Sequence, residues 1–101
     1  GLSLMAMHDP PHPGEFIGST YLTPLGISLR RLAGSLDVAP STLARIVHGK
    51  RAVTPEMALR LSIALGRSAE SWLAMQRSFD LWQARKRVNL NNVKRLNLDA
   101  A

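Results

Sequence analysis

Two short helical patterns, joined by only three residues and closed by a glycine, occupy Ser28 to Gly49 and constrain the fold more than any other feature of the chain. In the first, Ser28 is suited to cap a helix, its hydroxyl accepting from an early N–H, and Leu29, Leu32, Ala33 and Leu36 follow at i, i+3, i+4 and i+7. Asp37-Val38-Ala39 makes the connection, and Asp enters the left-handed backbone region more readily than most residues with a Cβ. The second pattern opens around Pro40-Ser41-Thr42, turns Leu43, Ile46 and Val47 inward, and stops at His48-Gly49, where glycine supplies a left-handed cap. A connection this brief fixes the crossing angle, and Leu32, Ala33, Val38, Leu43 and Ile46 are the residues expected to lock it. Ala33 matters by being small, since a bulky residue there would push the helices apart.

The flanking segments read as three more helices. Met7 to Pro13, with three prolines and two histidines, is an extended lead-in, because proline removes donors and restricts its predecessor. Glu15, Phe16, Ile17, Tyr21 and Leu22 then give contacts at helical spacing until Thr23-Pro24-Leu25-Gly26 interrupts them. Thr54-Pro55-Glu56 is a helix N-terminus, and the apolar residues from Met57 to Leu65 run nearly all round, which predicts a central helix. Ser68 and Ser71 precede a last helix in which Trp72, Met75, Phe79 and Trp82 recur three and four apart. After Ala84 the pattern weakens into alternation at period two, which predicts an added strand or a mobile tail. The expectation is an all-α chain: a lead-in over 1–12, a five-helix domain over 13–84 and a basic tail over 85–101.

Composition agrees, with 46% hydrophobic but only 5% aromatic residues, rich in Leu and Ala. At 101 residues, one core is all the chain can build. The net charge of +6 sits in two blocks: five Arg or Lys against Asp37 in Ser28–Arg51, and five more, unopposed, in Arg85–Leu98. Such blocks attract polyanions, of which nucleic acid is the commonest a small basic domain meets. The absence of Cys excludes disulfides and thiolate metal sites. No apolar run approaches the ~20 residues of a bilayer span. The opening residues lack a basic region and read as an expression remnant before Met5 or Met7, and the protein is expected in the cytoplasm. His8, Asp9 and His12 lack the fixed geometry zinc demands, and neither a metal nor another cofactor is expected. Without a cysteine nucleophile or acid–base spacing, an enzyme is the poorest reading.

Two helices joined in this way are how a helix-turn-helix presents its second helix to the DNA major groove. Ser41, Thr42 and, one turn on, Arg45 project from the start of that helix behind Pro40. Arg45 is suited to donate bidentately to a guanine, while the hydroxyls reach phosphates or base edges. His48, Lys50 and Arg51, where the chain turns, and Arg30 and Arg31 on the preceding helix suit phosphate contacts that set register.

The runs Ser28-Leu29-Arg30-Arg31-Leu32-Ala33 and Val38 to Arg51 resemble the lambda-repressor-like (XRE) helix-turn-helix family. His12-Pro13-Gly14-Glu15, Leu22-Thr23-Pro24-Leu25-Gly26, Gly49 to Pro55, Ala58-Leu59-Arg60-Leu61 and Trp72-Leu73 narrow the resemblance to the HigA-type antitoxins of bacterial toxin–antitoxin pairs. It spans His12 to Trp82. It implies a five-helix lambda-repressor-like fold and a homodimer that binds double-stranded operator DNA, represses its own operon and blocks a HigB-type ribonuclease toxin. Leu29 departs from the Gln, and Asp37 from the Gly, that the family often carries.

A dimer face is expected along Trp72, Met75, Phe79 and Trp82, because a short domain has difficulty burying all four. Trp72 and Phe79 are also the best core candidates, and Trp82, near the helix end, suits an interface best. Such a dimer would set two DNA-facing helices about 34 to 36 Å apart, one turn of DNA, over a near-palindromic site. Two other classes remain: a stand-alone XRE regulator without a toxin partner, and an interaction module that sequesters a partner without binding DNA.

Overall fold

The computed structural model describes residues 9–99. Among the described residues five helices build the fold, and no strand occurs. Helix α1 starts as Pro13–Ile17, widens into a π-helical turn over Gly18–Leu22 and closes with Thr23–Leu25. The break expected across Thr23-Pro24-Leu25-Gly26 falls at its far end, and the helix passes through Pro24. In a regular helix the Pro24 ring would collide with the carbonyl four residues back. The turn just before it is wider, with the Thr23 N–H reaching back five residues to the Gly18 carbonyl. Gly26, at φ 64°, then ends the helix, and the Ile27 N–H reaches the Leu22 carbonyl at 3.0 Å.

Helices α2 (Leu29–Leu36) and α3 (Pro40–Val47) form where the two central patterns place them. The Ser28 hydroxyl accepts from the Arg31 N–H at 3.1 Å and opens α2. Helix α4 (Pro55–Leu65) begins with the Thr54 hydroxyl accepting from Met57, and α5 (Ala69–Arg87) with Ser68 accepting from Ser71. Each of the three hydroxyl caps satisfies an N–H that has no partner inside its helix, a contribution of about 1 kcal/mol apiece.

One core joins all five helices: Ile17, Leu32, Ala33, Leu36, Leu43, Ile46, Val53, Met57, Ala58, Leu61 and Trp72. Trp72 is fully buried, with the Phe16 ring edge-on at a centroid distance of 5.8 Å and Tyr21 at 6.4 Å. Burying each large side chain contributes roughly 1.5–3 kcal/mol, so these contacts outweigh any single cap.

Three expectations need correction. Helix α4 is not central: Met57, Ala58 and Leu61 face inward, but Leu59 is 59% and Ile63 86% exposed, because no element covers that side. Helix α5 continues three residues past Ala84, to Arg87, where cations meet the negative end of the helix dipole. The segment after it pairs with no strand; every residue from Val88 to Asp99 is exposed and irregular apart from turns at 91–92 and 99.

Candidate nucleic-acid interface

The α2–α3 unit turns on two left-handed residues. Asp37, at φ 58° and ψ 46°, is the one non-glycine with positive φ among the described residues. Its N–H bonds the Gly34 carbonyl at 3.2 Å, and the Val38 N–H bonds Ala33 at 3.1 Å. This double closure normally uses glycine. Gly49, at φ 74°, repeats it after α3, with Lys50 N–H to the Arg45 carbonyl at 2.8 Å and Gly49 N–H to Ile46 at 3.0 Å. Pro40 takes the first position of α3, and the residue before it, Ala39, offers no side-chain cap. The first N–H groups of α3 therefore lack a side-chain acceptor within the cap.

On α3, Leu43 and Ile46 are buried, while Ser41, Arg45 and His48, at i, i+4 and i+7, form an exposed stripe with Pro40 at its start. Thr42 is half-buried, turned partly toward the core. Arg30 and Arg31 at the start of α2, and Lys50 and Arg51 beyond Gly49, are all exposed. Neither Arg45 nor any of these four cations joins an ion pair or side-chain hydrogen bond among the described residues; both ion pairs found there use Arg60. Their charge is uncompensated and turned to solvent.

Several residues that hold this surface in place were not assigned roles from the sequence. The buried His12 caps α1, its Nδ1 accepting from the Gly14 N–H at 2.9 Å, and its ring meets Phe79 edge-on at 5.0 Å. Its pKa is lowered, chiefly by burial; the carboxylates of Asp80 and Glu15 push it back up. Gly14 lies directly against α3: a Cβ there would run into the Ile46 carbonyl oxygen and approach Val47 Cα at 2.8 Å. Gln76, buried on α5, accepts from the Val53 N–H at 2.8 Å and donates to Asp80 at 3.0 Å, which anchors the loop carrying Lys50 and Arg51. The motif His12-Pro13-Gly14 was visible as a string, but its partners lie more than thirty residues away. His8, the other histidine weighed as a ligand, lies outside the described residues, and no cluster suited to a metal ion occurs among those described.

The dimer residues fare unevenly. Trp72 is completely buried within its own chain, so the core withdraws it from any partner. Met75, Phe79 and Trp82 are half-buried, Met75 packing on the core and Phe79 on His12. The side of α5 that does face solvent carries Leu81, 45% exposed, and Ala84, with Val88, also 45% exposed, just past the helix end. Leu73, Arg77, Leu81 and Ala84 line a shallow groove on that side.

This architecture, a five-helix bundle displaying a short polar-faced helix behind a tight turn, defines a class, and comparison with known proteins agrees. A family model described as helix-turn-helix matches residues 20–72. The chain belongs to the XRE-type helix-turn-helix family. It is 41% identical over 92 residues to the uncharacterized HTH-type transcriptional regulator YddM of Escherichia coli (strain K12), covering 91% of this chain and 97% of that one. Its structural neighbours include antitoxins, HigA among them. Antitoxin GraA superposes with a TM-score of 0.83 at 37% identity, over 88% of this chain and 99% of GraA. Pseudomonas aeruginosa antitoxin HigA, solved with the higBA promoter, superposes with a TM-score of 0.73 at 34% identity, over 76% and 84% of the two chains. The family is one of regulators and antitoxins, not an enzyme class. No helix among the described residues is long and apolar enough to cross a membrane.

Proposed function

We propose that this protein is the antitoxin of a type II toxin–antitoxin pair: a cytoplasmic homodimer that binds operator DNA, represses its own operon and neutralises a HigB-type ribonuclease toxin. The observation that carries the DNA half is the exposed Ser41–Arg45–His48 stripe flanked by four further uncompensated cations, Arg30, Arg31, Lys50 and Arg51. In this reading Arg45 reads a base edge, Ser41 and Thr42 contact bases or phosphates, and Arg30, Arg31, His48, Lys50 and Arg51 bind phosphates, with Pro40 setting the start of the helix. Support for the antitoxin half comes from the likeness to GraA and to HigA solved on its promoter. The second copy docks on the outer side of α5, through Leu81 and Ala84 and Val88 just beyond the helix, with Trp82 at the margin.

The name of the YddM relative, a transcriptional regulator, favours a second reading as a stand-alone XRE repressor. Co-expression with the adjacent reading frame, followed by a gel shift on the shared upstream DNA, separates the two. The antitoxin reading expects a co-purifying small ribonuclease and a shift that weakens steeply with salt. A shift without any co-purifying partner leaves the stand-alone repressor.

A further inference from the structure

We infer that Arg60 is a positioning residue for the DNA-facing helix, clamping the α2–α3 turn from α4; the inference rests on the DNA-binding reading above. The last carbonyls of a helix have no partner within it and form the negative end of its dipole. Arg60 Nη1 donates to the Leu36 carbonyl at 2.8 Å and to the Asp37 carbonyl at 3.2 Å, covering the end of α2. Its Nε donates at 3.3 Å to Glu56, one turn earlier on α4, which fixes the direction of the guanidinium. Glu56, Arg60 and the turn therefore form a single strut from α4 to the hinge between α2 and α3.

The carbonyl bonds, not the ion pair, do this work. The Asp37 carboxylate lies 4.0 Å from Nη1 and its side chain is fully exposed, so water screens the attraction. What the turn needs holding against is its own backbone: Asp37 sits where glycine is the unstrained choice. A turn that opens there swings α3 as a unit, since the closure from Val38 to Ala33 is what sets its bearing on α2. A lysine retains the charge, but its single ammonium cannot bridge two carbonyls and Glu56 in one plane.

The test measures affinity for the protein's own upstream DNA and for a scrambled duplex of equal length, with amide hydrogen exchange at Asp37 and Val38. Arg60→Met is expected to lower specific affinity about tenfold while scrambled-duplex affinity falls far less, because phosphate attraction tolerates misalignment. Exchange at the two turn amides is expected to quicken by about the same factor, with Arg60→Lys intermediate on both scales. Asp37→Gly, which relieves the backbone, is expected to restore most of the specific affinity in the Arg60→Met background. Equal losses on both duplexes would overturn the clamp, since partial unfolding does that. So would unchanged specificity together with unchanged exchange. A wild-type chain that binds neither duplex removes the DNA reading, and the exchange rates then decide whether Arg60 holds the turn.

Discussion

The two basic blocks of this chain carry five Arg or Lys each, yet the structure treats them differently. The first, Ser28 to Arg51, lies on two helices pinned by the core, by Gly14 on one side and by Arg60 and Gln76 on the other. The second straddles the end of α5 and an irregular tail in which no residue is buried. A fixed set of charges can match the spacing of phosphates and hold one side chain against one base, whereas an unanchored set offers attraction without register. Cation count alone would rank the blocks equal; rigidity separates them.

The sharpest way to break that contrast is Gly14→Ala, which drives a methyl into the backbone of α3. It is expected to destabilise the domain by about 3 kcal/mol or more, because backbone, unlike a flexible side chain, cannot step aside. A thermal melt within a degree or two of wild type would mean that α1 is not pressed against α3. Ala33→Leu, at another fully buried contact, is expected to remove roughly 1 to 3 kcal/mol by overpacking.

Next in size are the charges themselves. Arg45→Ala is expected to lose about 1–3 kcal/mol of discrimination at one base pair. Lys50→Ala should instead weaken every duplex alike and reduce the slope of log affinity against log salt by about 1. Binding measured across single-base operator variants and several salt concentrations tells the two apart, and identical profiles would dissolve the division into reading and positioning residues.

A smaller effect follows from His12. Its folded pKa is lowered from 6.5 by burial, and its Nδ1 must be unprotonated to cap α1. The unfolded chain therefore binds the proton more readily, so stability is complete above the unfolded value and declines as pH falls through about 6.5. Glu15 and Asp80, which favour the imidazolium, soften the decline. His12→Asn, a capping residue that does not titrate, should flatten this part of the pH–stability profile; an unchanged profile would exonerate His12. Smallest of all, removal of residues 88–101 is expected to leave monomer stability within about 0.5 kcal/mol, since none of the described residues 88–99 is buried. If that truncation abolished sequence-specific binding by monomer and dimer alike, the tail with Lys94 and Arg95 would prove to take part in reading after all.

Helix existence was legible wherever the signal was local. Ser28, Thr54 and Ser68 cap as their hydroxyls allow, and Asp37 and Gly49 take the left-handed positions their chemistry suits. The exposed stripe on α3 follows from period alone. Thr23-Pro24-Leu25-Gly26 marks the end of α1 locally, but a proline does not say whether the chain passes it by widening a turn, as it does here before stopping at Gly26. Trp72 was placed at two addresses, and only the positions of Phe16 and Tyr21 decide that the core has it.

By itself, then, the order of residues determined which segments coil, where they stop and which side of each is apolar, because caps, turns and periodicity act between near neighbours. The tertiary structure alone decided that Gly14 meets Ile46, that Gln76 holds Val53 and that Arg60 reaches the end of α2. Those partners are separated by more than twenty residues, and contacts at such range depend on how all five helices pack at once, which no local rule encodes.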